Sequence, residues 1–254
     1  MKGLLAAMMM FTRLPLWHWV SVDKRYFEEA IRYWPVVGFL TGFVTAGTFW
    51  LASFVLPVGI ACVLAIIARV LLTGALHEDG LADFFDGFGG GTTKEKILAI
   101  MKDSRIGCYG TIGLILYFLL YYSLLFAIGE SGVETSVLFA IILSADCFSK
   151  FCAAGMINTL SYVRKVEESK IHLLYNKVKL FLFVGVGFLV LIPFLFLDAY
   201  LWCAVFPALM MACGLRFFLK FKIGGYTGDC CGASVLLIEQ VFYITIVALL
   251  LRYR

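Results

Sequence analysis

The run YGTIGLILYFLLYYSLLFAI, from Tyr109 to Ile128, decides what kind of protein this is. It contains no charged side chain. At 1.5 Å per residue a helix over it is about 30 Å long, the thickness of a bilayer's hydrocarbon core. Working outward, comparable runs at 35–56, 57–76, 134–156, 180–197, 199–219 and 233–251 bring the candidate spans to about seven. Leu56-Pro57 and the region around Asp198 read as tight turns between neighbouring spans. Composition agrees: 62% of residues are hydrophobic, only 15% are charged, and the mean hydropathy is +0.95. A soluble domain is about half apolar and a quarter charged, so this chain lacks the polar surface to cover a water-soluble core. The sequence predicts an all-α, polytopic integral membrane protein, with residues 1–254 forming a single membrane-embedded domain.

Basic residues set the orientation. Lys2, Arg13, Lys24, Arg25 and Arg32 precede the first span, and Lys94, Lys96, Lys102 and Arg105 separate the second from the third. Arg164, Lys165, Lys170, Lys177 and Lys179 follow the fourth, and Arg216, Lys220 and Lys222 surround the connection to the last. The connections at 56–57, 129–133 and 198 contain none, leaving Arg252 and Arg254 on the other side. With seven helices, the excess of cytoplasmic Lys and Arg predicts a cytoplasmic N-terminus, with every long polar loop on that face. Met1–Val22 is interrupted by Arg13, Pro15 and His18 and does not read as a signal peptide. The net charge of +4 gives no basis for a nucleic-acid partner; membrane lipid is the expected surrounding, and a homo-oligomer is left open. The eight cysteines include no C-x-x-C pair and read as small apolar residues rather than a zinc or redox site.

The polar loop after the second span holds the densest chemistry, from His77 to Gly110. Asp79, Asp83 and Asp86 follow an i, i+4, i+7 spacing, which on a helix puts three carboxylates on one face. Such a stripe repels itself unless a cation neutralises it, and hard oxygen ligands suit Mg²⁺. The alternative is a solvated acidic helix end, against which stand the apolar Leu81, Ala82, Phe84 and Phe85 between the carboxylates. Gly87-Phe-Gly-Gly-Gly91 follows; it lacks Walker A spacing and on its own reads as a helix terminator. Lys94, Lys102 and Arg105 add cations able to meet phosphate oxygens. Carboxylates for a metal beside cations for phosphate are the parts of a phosphoryl-transfer site.

At two blocks the sequence resembles the adenosylcobinamide-GDP ribazoletransferases, or cobalamin synthases. They are His77-Glu-Asp-Gly-Leu-Ala-Asp-Phe-Phe-Asp-Gly87 and Met101-Lys-Asp-Ser-Arg-Ile-Gly-Cys-Tyr-Gly110. Phe11-Thr-Arg-Leu-Pro15, Trp34-Pro-Val-Val-Gly38 and Gly224-Gly-Tyr-Thr-Gly-Asp-Cys-Cys-Gly-Ala233, with Glu239 after it, extend the likeness along the chain. The resemblance implies a multi-pass enzyme of a prokaryotic inner membrane with a cytoplasmic active site. It implies Mg²⁺-dependent attack of the ribose hydroxyl of α-ribazole, or its 5′-phosphate, on adenosylcobinamide-GDP, releasing GMP. On that expectation Asp79, Asp83 and Asp86 hold the metal, and one of them or His77 accepts the hydroxyl proton. Lys102, Asp103 and Arg105 form a second polar patch, Asp103 being a carboxylate available to complete the metal site. Asn158, Arg164 and Asp229 are further substrate-binding candidates from the next cytoplasmic loops. Asp146 and Lys150, i and i+4 inside one span, are expected to neutralise each other, and Arg69 is a candidate partner for Glu239.

Two other classes compete. A CDP-alcohol phosphotransferase shares the Asp83-x-x-Asp86-Gly87 piece, but its signature continues with an Ala-Arg pair where this chain has Phe88-Gly89. A transporter using Asp146 and Glu239 is expected to show related halves with broken spans, and no such repeat is present.

Overall fold

The computed structural model describes residues 2–164 and 177–253. Lys165, Lys170 and Arg254, used above to orient the chain, lie outside the described residues. Among the described residues the architecture is all α-helical, without a strand ladder; one parallel bridge joins Tyr162 to Tyr226. In chain order the helices are α1 (Lys2–Phe11), α2 (Lys24–Glu28), α3 (Trp34–Ser53), α4 (Val58–Thr73), α5 (Leu76–Gly90) and α6 (Lys94–Lys102). They continue as α7 (Cys108–Gly129), α8 (Thr135–Thr159), α9 (Leu180–Val190), α10 (Val205–Ile223) and α11 (Gly228–Arg252). Short 3₁₀ turns at Ala30–Tyr33 and Ala199–Ala204 lead into α3 and α10.

Among the described residues five stretches are individually long and apolar enough to cross a bilayer: Ala30–Ser53, Cys108–Gly129, Thr135–Thr159, Ala199–Ile223 and Gly228–Arg252. The two remaining expected spans take other forms. The run 57–76 yields the 16-residue α4, about 24 Å long, and the chain then turns by 90° into α5. Two consecutive left-handed residues make this corner, Gly74 at φ 65° and Ala75 at φ 56°. Glycine adopts that conformation freely, whereas the alanine's Cβ crowds its own carbonyl. The run 180–197 yields only the 11-residue α9, because Pro193 cannot donate to a continuing helix and a 3₁₀ turn, Pro193–Phe196, follows.

The core lies where α3, α5, α8 and α11 meet, with α3 against α4 and α8, and α5 against α11. Ala145, Cys147, Ala153 and Ala154 of α8 and Ala233, Val235, Leu236 and Ile238 of α11 are fully enclosed. The outer faces carry exposed Leu116, Leu119, Phe217 and Phe221, the exterior of a multi-pass membrane protein. Two enclosed ion pairs lie inside the bundle among the described residues. Arg69 meets Glu239 through two 2.6 Å contacts and donates to Tyr121 at 2.8 Å, confirming the pairing expected from the sequence. Lys150 pairs with Asp146, and the Thr41 hydroxyl donates to that carboxylate at 2.7 Å. All eight cysteines are free, without a disulfide.

Candidate active site

The acidic segment folds as the sequence predicts. Residues Leu76–Gly90 are helical, so Asp79, Asp83 and Asp86 do lie along one face of α5. The same face buries Leu81, Ala82 and Phe84 at its flanks; Phe84 packs on Phe88, and both meet Phe218 of α10. The Gly-rich stretch is the end of this helix: Gly87 to Gly90 remain helical, and the Gly91 N–H closes the last turn onto the Gly87 carbonyl at 2.9 Å.

A stripe seven residues long rises about 10 Å, and its two ends meet different neighbours. At the far end, Asp86 reaches the start of α7. One carboxylate oxygen accepts the Gly107 N–H at 2.7 Å and the other the Gly110 N–H at 2.8 Å. The N-cap of α7 is Gly107 itself, which has no side chain to supply an acceptor, so Asp86 does so from α5. The two sequence blocks are thus physically joined: the last carboxylate of the first caps the helix that the second begins. Asp86, expected as a metal ligand, is occupied as a tertiary helix cap. Among the described residues no three His, Cys, Asp or Glu side chains are gathered for a metal.

At the near end, His77 and Asp79 line a cavity of about 140 Å³. It sits where helix ends converge: Phe11 closes α1, Trp34 opens α3, Ile157 is near the end of α8, and Gly228, Asp229, Cys231 and Gly232 open α11. Gly80 allows this packing, since a Cβ there would come within 2.9 Å of the Asp229 carbonyl oxygen. Thr227 starts α11 by accepting the Cys230 N–H at 3.2 Å. The chain after α8 is tied to the same turn, with the Tyr226 N–H donating to Ser161 at 2.9 Å and the Val163 N–H donating to Tyr226 at 3.1 Å. That tie delivers Arg164 to Asp229: their 3.0 Å ion pair is nearly enclosed, with the Arg164 side chain 6% and the Asp229 side chain 12% exposed. Phe11, Trp34 and His77 stack in series, with ring centroids 4.8 and 5.8 Å apart. Among the described residues neither imidazole nitrogen of His77 has a hydrogen-bond partner, nor has the Trp34 indole N–H.

Of the residues named from sequence, the fold therefore brings His77, Asp79, Arg164 and Asp229 to one cavity. Asp83 lies half-buried one turn along α5 from Asp79. Lys102, Asp103 and Arg105 are elsewhere, on the outward α6–α7 connection. There Asp103 and Arg105 form an exposed ion pair at 2.7 Å. The guanidinium's hydrogen bonds hold the Asp103 carboxyl down at about 2, so it stays ionised through the ordinary assay range. Asn158 donates to the Val178 carbonyl at 3.1 Å and accepts the Val178 N–H at 2.7 Å, so its amide ties the end of α8 to Val178, just before α9.

Sequence reading overlooked the aromatic wall and Glu78, whose carboxylate is buried with one oxygen unpartnered. The wall had a signal, since Phe11 and Trp34 each open one of the matching motifs.

Known proteins match nearly the whole of this chain in sequence. The profile of the family described as cobalamin-5-phosphate synthase matches residues 3–247. The chain belongs to the cobalamin-5-phosphate synthase family. It is 44% identical over 251 residues to the adenosylcobinamide-GDP ribazoletransferase of Shewanella sp. (strain W3-18-1), covering 95% of this chain and 92% of that protein. It is 42% identical over 248 residues to the Shewanella baltica (strain OS185) protein of the same name, covering 94% and 91%. With that of Shewanella frigidimarina (strain NCIMB 400) it shares 39% over 246 residues, covering 95% and 92%. No solved structure matches the chain. Both sequence blocks and the α11 turn fall inside the stretch matched by the cobalamin-5-phosphate synthase profile.

Proposed function

We propose that this chain is an adenosylcobinamide-GDP ribazoletransferase, joining the adenosylcobinamide-phosphate group to α-ribazole or its 5′-phosphate and releasing GMP. The observation that carries the reading is the cavity at the start of α5, where Asp79 and His77 of the family's first block face the Arg164–Asp229 pair. In the reaction the acceptor's ribose oxygen forms a bond to the phosphorus bearing the cobinamide, and the bond from that phosphorus to the bridging oxygen of GMP breaks. The hydroxyl proton leaves to a base on the protein. His77 is suited to this, with unpartnered nitrogens on the cavity wall and an orientation fixed by stacking on Trp34.

The donor set fits Mg²⁺, which binds through one or two carboxylates and keeps positions for water and phosphate oxygens. Asp79 and Asp83, one turn apart on α5, would hold it. When bound it supplies neutralisation of the charge that develops on the departing GMP. The basic N-terminal segment and loops support placing this cavity on the cytoplasmic face of a prokaryotic inner membrane, surrounded by lipid. Release of GMP from adenosylcobinamide-GDP by the purified chain, dependent on both α-ribazole and Mg²⁺, tests the reading. GMP release that ignores α-ribazole would replace it with a hydrolase.

A further inference from the structure

Arg164 is held in an unusual way for a buried guanidinium. Its Nη1 meets Asp229 at 3.0 Å, while among the described residues Nε and Nη2 have no partner although the side chain is 6% exposed. Leaving buried N–H donors unpaired is costly, and more so on a charged group. Nε and Nη2 form one edge of the planar fork, the edge that matches two oxygens of a phosphate. Arg164 lines the cavity shared with His77 and Asp79. A third unpartnered donor, the Trp34 indole N–H, belongs to another side chain of the same wall.

We infer that the Nε–Nη2 edge of Arg164 is a phosphate-binding fork, aimed into the cavity by Asp229 acting as a positioning residue. The inference rests on the proposed function and deepens it: the fork engages a phosphate carried by a substrate, either the 5′-phosphate of the acceptor or the pyrophosphate of the donor. Asp229 fixes the direction of the guanidinium; without it the planar group is free to turn its donors elsewhere.

The first test needs no turnover. With Mg²⁺ present, inorganic phosphate at ten times its dissociation constant raises the melting temperature of the full-length protein in detergent by about 3–6 °C. Arg164→Gln abolishes that shift, and Arg164→Lys, which keeps the charge but not the fork, reduces it. In the second test, kcat/KM is measured with α-ribazole, with its 5′-phosphate and with varied donor. If the acceptor's phosphate is the ligand, the preference for phosphorylated over free acceptor falls at least tenfold in Arg164→Lys. If the donor's pyrophosphate is the ligand, the donor KM rises at least tenfold and the acceptor preference holds. A phosphate shift equal in wild type and both variants overturns the fork, as does a loss that moves neither the acceptor preference nor the donor KM. Failure of the wild type to release GMP, with the phosphate shift intact, would instead overturn the proposed function and leave the fork standing.

Discussion

Replacing Asp86 with Asn separates a structural carboxylate from a metal-binding one. Its two oxygens each accept a backbone N–H from the start of α7, at 2.7 and 2.8 Å, in a position 9% exposed. Hydrogen bonds to a charged group contribute about 1.5–3 kcal/mol each, and a negative charge at a helix N-terminus adds up to about 2 kcal/mol when partly buried. Asparagine keeps one acceptor oxygen but turns an NH₂ towards the other donor and removes the charge. The expected loss is about 2–4 kcal/mol, one hydrogen bond plus part of the helix-end attraction. Alanine removes both acceptors and costs more. The assay is unfolding by SDS in mixed micelles, followed by Trp fluorescence, alongside Mg²⁺ titration of GMP release at a temperature where the variant stays folded. Stability should fall while the Mg²⁺ concentration for half-maximal activity moves less than threefold. An unchanged unfolding midpoint together with a tenfold or larger rise in the Mg²⁺ requirement would refute the assignment of Asp86 as a cap.

Asp79→Asn should raise the Mg²⁺ requirement tenfold or more, and chelation by EDTA should stop GMP release in the wild type. Glu239→Gln leaves the enclosed Arg69 without its counter-charge and should destabilise by about 3–5 kcal/mol, whereas the joint change Arg69→Met with Glu239→Leu should cost far less; equal losses in the two unfolding curves would contradict this. Ala75→Gly should relieve a left-handed alanine worth about 1–2 kcal/mol, offset by about 0.4–1 kcal/mol of extra chain entropy in the unfolded state. A lowered melting temperature would show that the corner is not strained. Asn158→Ala removes both hydrogen bonds to Val178 and should lower stability by about 1–3 kcal/mol without changing either substrate's KM; a raised KM would return Asn158 to the binding site.

What the sequence made legible follows from what each signal measures. Runs of apolar residues report the total burial or lipid contact that a helix needs, so the ends of α3, α7, α8, α10 and α11 could be placed to within about six residues. Hydropathy does not report where a helix turns, and the corner at Gly74 and Ala75 was hidden because Ala75 carries no turn signal of its own. Carboxylate spacing likewise reported that Asp79, Asp83 and Asp86 share a face, but not how far apart they lie along it. A face is a direction, whereas a metal site is a point. About 10 Å of rise is enough for Asp79 to meet the cavity while Asp86 meets α7. The Arg164–Asp229 pair lay beyond any local reading, since 64 intervening positions separate its members and the backbone tie between Ser161–Val163 and Tyr226 brings them together. The same logic explains the second motif block. Met101 to Gly110 looks like a string of phosphate-binding cations, yet Lys102 and Arg105 face outward while Gly107 and Gly110 donate to Asp86. Its glycines and the first block's final aspartate form one structural unit, which ties the end of α5 to the start of α7.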